Sequence, residues 1–196
     1  FRYNIIKKFV NEGFQVSLVA EADGYENKFR DIIGKGNIYS FKKRNLVIDL
    51  FSFISLNTRL FLINKDCIFY TFTAKSNLLY GFLNYIKRKT LIANVTGLGI
   101  IWDYKFLNFF FKFVLFLALQ KSKIIFVQND RDFNLFKAIM KKSRVEIIKI
   151  NGSGVNLNIF ENKNNKRKFK KITFAMVSRL KNRKGYKNYL EACKLF

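Results

Sequence analysis

Apolar residues along the chain fall into two alternating textures, short continuous runs and longer runs with helical spacing. The short runs predict strands at 14–20 (FQVSLVA), 67–73 (CIFYTFT), 90–95 (TLIANV), 123–128 (KIIFVQ) and 144–150 (RVEIIKI). The longer runs predict helices over 45–63, 77–89, 107–120 and 130–142, and the opening FRYNIIKKFVNEG reads as a helix stopped at Gly13. Strands that are continuously apolar, rather than alternating, belong to sheets buried on both faces. Strand then helix, repeated, therefore predicts an α/β fold, a doubly wound parallel sheet of Rossmann-like type. A chain that opens on a helix of such a layer is expected to lack the first strand and its turn.

The texture changes after Ile150. NGSGVN is a turn-rich loop, and ENKNNKRKFKK (161–171) is polar, basic and without periodicity, as a linker is. ITFAMV (172–177) then predicts a strand and YKNYLEACKLF (186–196) a helix. Two elements do not bury a core. The expected organisation is a first domain over 1–150, an interdomain loop over 151–170, and the truncated start of a second Rossmann-like domain over 171–196.

Composition alters this picture mainly through charge. With 49% hydrophobic and 17% aromatic residues, a substantial core is available and global disorder is excluded. Lys and Arg number 37 against 13 Asp and Glu, a net charge of +24. Such a field attracts polyanions: nucleic acid, anionic lipid or a phosphorylated substrate. Nucleic-acid binding through stacking would pair basic residues with exposed aromatics on one element, whereas the aromatics here lie mostly within apolar runs. Proline and histidine are absent, and the Lys, Asn, Ile and Phe excess resembles AT-rich coding. Cys67 and Cys193 stand far apart in apolar surroundings, fitting a reducing cytosol better than a disulfide framework or a zinc site. The most apolar stretch, 106–120, is interrupted by Lys112 and falls short of the about 20 residues that span a bilayer. It reads as a core helix or as a Phe-rich face touching lipid, with Lys105, Lys112, Lys121 and Lys123 reaching phosphates.

Candidate chemistry lies at strand ends. In VSRLKNRKGYKNYLEA (177–192), Arg179 ends a predicted strand and Lys184 and Gly185 precede a helix. Two cations beside a helix amino terminus, with a glycine that lets the backbone approach, suit a diphosphate. Solvated charge is the competing reading, because a chain this rich in Lys and Arg produces such pairs by chance. YTFTAKSN (70–77) brings Thr71, Thr73, Lys75 and Asn77 to a strand end, where Ser76 or Asn77 could equally cap the next helix. NVTGLG (94–99) places Thr96, Gly97 and Gly99 after another strand, as a ligand loop or an ordinary turn. In FVQNDRD, Asn129 or Asp130 reads as a helix cap, and Asp130-Arg131-Asp132 is not read as a metal site. Gly152, Ser153 and Gly154 suit a hinge or a loop facing a cleft. No histidine base, partnered nucleophilic cysteine, metal-ligand cluster or Walker-type phosphate loop is present in the sequence, so catalytic side chains are not identified.

These motifs, in this order, resemble glycosyltransferase family 4. They are an aromatic-Thr-x-Lys-x-Asn strand end, TGLG after a strand, QNxxD, GSGVxLxxF, and strand-SRLxxxKG-helix. The likeness is strongest to the bacterial branch of capsule, O-antigen and lipid-linked glycan assembly, and it runs over nearly the whole chain. It implies the GT-B fold, two Rossmann-like domains facing across a cleft. It implies a hexosyltransferase that moves a sugar from a nucleoside-diphosphate-sugar to a polyprenyl-diphosphate-linked glycan, with retention and without a metal or other cofactor. It assigns Arg179, Lys184 and Gly185 to the donor diphosphate. Lys75, Asn77, Thr96, Gly97 and Gly99 fall to the acceptor side, and Gly152, Ser153 and Gly154 to the cleft. It implies a cytoplasmic enzyme held peripherally on the anionic inner face of the plasma membrane, with nucleic acid disfavoured as a partner. Ser76 and Asn151 stand where the family often has proline, and Asn156 where it usually has Asp. The family's paired donor-sugar glutamates would lie beyond Phe196, so the resemblance implies that these residues alone are inactive. The competing readings are a basic nucleic-acid- or membrane-binding module and a GT-B nucleotide-sugar epimerase.

Overall fold

The computed structural model describes residues 2–22, 24–41, 46–63, 66–98, 105–161, 173–178 and 184–195, the side chains of residues 46 and 105–108 excepted. The chain forms two compact units, Phe1–Gly154 and Val155–Phe196.

The first unit is α/β with parallel sheets. Its elements in chain order are α1 (Tyr3–Asn11), β1 (Leu18–Glu21), α2 (Glu26–Ile33), β2 (Ile38–Phe41), α3 (Leu46–Ile63), β3 (Ile68–Phe72) and α4 (Ala74–Ile86). β4 (Thr90–Val95), α5 (Lys105–Leu119), β5 (Ile124–Val127), α6 (Asp130–Ile139) and β6 (Glu146–Lys149) complete it. β1 pairs with β2, and β3-β4-β5-β6 form a second sheet in simple sequence order, every pairing parallel. This is a Rossmann-like arrangement, and the predicted α/β class holds. The sequence pattern missed α2, whose apolar positions are interrupted by Glu26, Lys28, Arg30 and Asp31, and β2, which is only four residues long.

Register explains the core. Pairing of Thr71 with Ala93, Ala93 with Ile125 and Ile125 with Ile147 puts these residues on one face of the sheet. That face carries the buried cluster of Ala93, Val95, Ile125 and Val127 with Leu115, Ala118 and Leu119 of α5 and Phe136 of α6. Phe61 of α3, Tyr80 and Leu83 of α4 and Leu91 of β4 form an adjoining cluster. The opposite face carries Tyr70 and Phe72, and there α1 packs: Phe9 meets the Tyr70 ring edge-on at 6.3 Å, and the Arg2 guanidinium lies 4.0 Å above the Phe72 ring. Tyr3 of α1 also touches Phe29 of α2. Helices therefore lie on both faces of β3.

Helix α4 is tied to both neighbours. On one side Tyr80 donates to Asn57 Oδ1 of α3 at 2.8 Å. On the other, Tyr85 Oη donates to the Leu117 carbonyl at 2.6 Å and Asn84 Nδ2 to the Lys121 carbonyl at 3.1 Å. Tyr80 and Asn57 are both buried, so each satisfies a polar group the other would leave stranded. Burial raises the Tyr80 phenol from 10.0 to about 12, with the Cys67 thiol a lesser cause in the same direction.

The second unit contributes α7 (Tyr186–Cys193). Tyr189 of this helix donates to the Phe174 carbonyl at 3.0 Å. Of the strand expected over 172–177, residues 173–177 are described and form no ladder among the described residues. An apolar run of strand composition becomes a strand only when another strand takes up its N–H and C=O groups.

Candidate functional site at the carboxyl edge of the sheet

Parallel strands in sequence order end on one edge, so the chain leaves β3, β4 and β5 at neighbouring points. Residues 73–75, 96–98 and 128–129 follow directly, and their polar groups gather there by topology alone.

The β3 exit is held by a buried chain of hydrogen bonds. Thr71 Oγ1 donates to Asn77 Oδ1 at 2.8 Å, and Asn77 Nδ2 donates to the Asn94 carbonyl at 3.1 Å. Asn77 thus spends its amide tying the start of α4 to the end of β4. The cap of α4 is not Ser76 or Asn77 but Thr73, whose side chain makes no capping bond. Thr73 has φ +79° and ψ 153°, a region that disfavours any residue with a Cβ. Lys75 is exposed at this edge, its Nζ 6.0 Å from the Phe53 ring of α3.

The β4 exit turns through Thr96 and Gly97, both exposed, into buried Leu98. Asp132 fixes this turn: its Oδ2 accepts from the Leu98 amide at 3.2 Å and from Asn129 Nδ2 at 2.8 Å. Asn129 caps α6, its Oδ1 accepting from the Asp132 amide at 2.8 Å. The cap reading of Asn129 holds. Asp130 instead sits on the first turn and pairs with Lys149 at 2.6 Å. Among the described residues no group of three His, Cys, Asp or Glu could hold a metal.

Asn77, Thr96, Gly97 and Leu98 surround a small void with Ala74 and Leu115, about 20 Å³ in volume, room for about one water. The described edge presents exposed groups rather than an enclosed sugar pocket. Ser153 stands between Gly152 (φ +86°) and Gly154 (φ +66°), a backbone path that only residues without a Cβ follow without strain. Its hydroxyl accepts from Gln128 Nε2 at 3.3 Å and from Arg2 Nη1 at 3.4 Å, joining the β5 exit to the first turn of the chain. Burial lowers the Arg2 guanidinium below the ordinary arginine range, partly countered by Tyr70.

Of the residues predicted for the acceptor side, the structure thus gathers Lys75, Asn77, Thr96 and Gly97 at one edge, with Ser153, predicted for the cleft, bonded to Gln128 there; Gly99 lies outside the described residues. Asp132, Gln128 and Arg2 were not predicted as site residues. Asp132 carried a faint signal in the QNxxD spacing, and Arg2 carried none.

On the second unit, Arg179 lies outside the described residues. Lys184 is exposed immediately before Gly185, which is the N-cap of α7 at φ +73°, a left-handed conformation suited to glycine. Gly185 has no side chain to cap the helix, and among the described residues no side-chain cap bond is made there, the kind of helix start that suits an anion.

Comparison of the chain with models of known protein families, with curated proteins and with solved structures gave no match.

Proposed function

We propose that this chain is part of a retaining, metal-independent glycosyltransferase of GT-B type. It transfers a sugar from a nucleoside-diphosphate-sugar to a polyprenyl-diphosphate-linked glycan in bacterial surface polysaccharide synthesis. One observation carries the reading: three adjacent parallel strands end together and hand on to Thr73–Lys75, Thr96–Gly97 and Gln128–Asn129, the segments in which the family-like motifs lie. A second supports the donor side, since Lys184 and Gly185 lead directly into the start of α7, where the N-cap glycine makes no side-chain cap bond.

In the proposed reaction the bond between the sugar's anomeric carbon and the diphosphate breaks while an acceptor hydroxyl forms the new bond on the same face. The leaving diphosphate gathers negative charge and takes the acceptor's proton. Lys184 and Arg179 neutralise that charge and the amides after Gly185 donate to it, an arrangement stronger toward the transition state than toward the intact donor. A reaction in which the substrate supplies the base needs no histidine. On the acceptor side Lys75, Thr96 and Gly97 face the glycan. Asn77 and Asp132 act through the backbone, holding the two turns in place. By the same resemblance Gly99 and Gly152–Gly154 complete the acceptor side.

The test is transfer of radiolabelled sugar from a panel of nucleotide-sugars by the product of the complete gene, with lipid-linked acceptor and chelator present. Label in the lipid extract, with the donor's anomeric configuration retained by NMR, is the expected result. No transfer from any donor, or release of an epimerised nucleotide-sugar instead, would overturn it.

A further inference from the structure

Helices α3, α4 and α5 lie side by side over the core face of the sheet, and their outward faces are apolar. α4 buries Asn77, Tyr80, Leu83 and Asn84, which leaves Phe82, Tyr85 and Ile86 on its outer side, Ile86 at 69% exposure. The neighbouring α5 buries Leu115, Ala118 and Leu119 and exposes Phe109 (82%), Phe110 and Phe113. On α3, Phe51 is 74% exposed and lies with Ile54, Leu62 and Ile63 along a shallow groove of about 530 Å³. The i, i+3 and i+4 spacings within 82–86 and 109–113 make each set a single helical stripe. A water-facing helix layer ordinarily shows the reverse pattern.

Charge says what covers it. From Cys67 to Asn129 the only acid is Asp103, while Lys87, Arg88, Lys121 and Lys123 cluster where α4 and α5 end. The Lys121 ammonium lies over the Tyr85 ring, 3.6 Å from its centre, so a cation sits directly on the aromatic stripe. No described helix is long and apolar enough to cross a membrane. Apolar stripes bordered by cations, without a span, are the features of a surface that sinks into one leaflet and meets its phosphates.

We propose that the outer face of α3–α5 is a membrane-docking surface, inserting Phe109, Phe110, Phe113, Phe82 and Ile86 into an anionic leaflet. The inference stands on this helix layer and is independent of the transferase reading. Its failure would leave transfer to a water-soluble acceptor analogue intact, and failure of transfer would leave docking intact.

The experiment places a tryptophan on the face, Phe110→Trp in a Trp102→Phe background, because the chain has one native Trp. It is mixed with phosphatidylglycerol-containing vesicles whose acyl chains are brominated. Insertion quenches the new tryptophan, and part of the binding survives high salt because burial of apolar groups is not screened. Phe109→Ser with Phe113→Ser, two exposed positions that leave the core intact, lowers vesicle partitioning by at least about tenfold with an unchanged circular dichroism melt. Binding without quenching and fully reversed by salt would overturn the proposal in favour of charge alone. So would equal binding to an oligonucleotide, or a dimer in light scattering that the double variant dissolves.

Discussion

Gly81 of α4 meets the backbone carbonyl of Ala118 in α5 so closely that no Cβ fits between the helices. The contact joins the same two helices as the Tyr85–Leu117 bond, so it sets the α4–α5 spacing at which that bond forms. Glycine within a helix costs about 1 kcal/mol relative to alanine, and here close helix packing offsets that cost. Gly81→Ala is expected to destabilise the first unit by about 1–3 kcal/mol, the cost of overpacking against rigid backbone. Chemical denaturation with an unchanged m-value checks it; a stabilised variant would show that the two helices separate freely.

Asp132→Ala is expected to cost roughly 2 kcal/mol, because it removes a buried acceptor and strands the Leu98 amide. The effect is local as well as global. Hydrogen exchange at Leu98 should accelerate more than at β5 amides. Asp130→Ala, two residues away in an exposed pair, should change stability by under about 0.5 kcal/mol.

Thr73→Gly should stabilise by about 1 kcal/mol, since glycine adopts φ +79° without the Cβ clash and no capping bond is lost. A lower melting temperature in this variant would mean that the threonine side chain supports the turn. If stability rises while sugar transfer falls, Thr73 holds its strained conformation for function.

Tyr80 provides a pH test. Its folded-state value, about 12, lies above the ordinary 10.0, so the folded chain retains the proton longer than the unfolded one. The group leaves stability untouched below about pH 10. Between about pH 10 and about pH 12 the unfolded chain ionises first, and stability falls by roughly 2–3 kcal/mol. Tyr80→Phe should lose about 1 kcal/mol at neutral pH through the stranded Asn57 oxygen. The variant's alkaline decline should be shallower than the parent's by the Tyr80 share. Parallel curves would remove burial as the cause.

Under the proposed function, Lys184→Ala in the complete protein should lower kcat/KM by about 10²-fold, mainly through kcat, as expected for a cation that serves the leaving group. A change in KM alone would restrict Lys184 to binding the intact donor.

The helices α3 and α5 and the strands β4 and β5 were legible in the sequence because each is a long or uninterrupted apolar run. Boundaries set by side-chain bonding were not. The predicted helix over 77–89 begins instead at Ala74, because Asn77 is already bonded to Thr71 and Asn94 and the helix starts before it. The strand composition of 172–177 was legible, but a partner is a property of another segment and leaves no local trace. The exits at Lys75 and Thr96–Gly97 followed from reading strand ends in a parallel sheet. The Arg2–Ser153 contact joins residues 151 positions apart, a separation no periodicity records.

The sequence-order pairing of β3 through β6 bears on how the chain folds. Each strand finds its partner one helix away, so loops are closed in succession and no distant segment must be awaited. Synthesis from the amino end can add one βα hairpin of structure at a time, each new strand using the last as its template. With no proline in the sequence, prolyl isomerisation imposes no slow step on that progression.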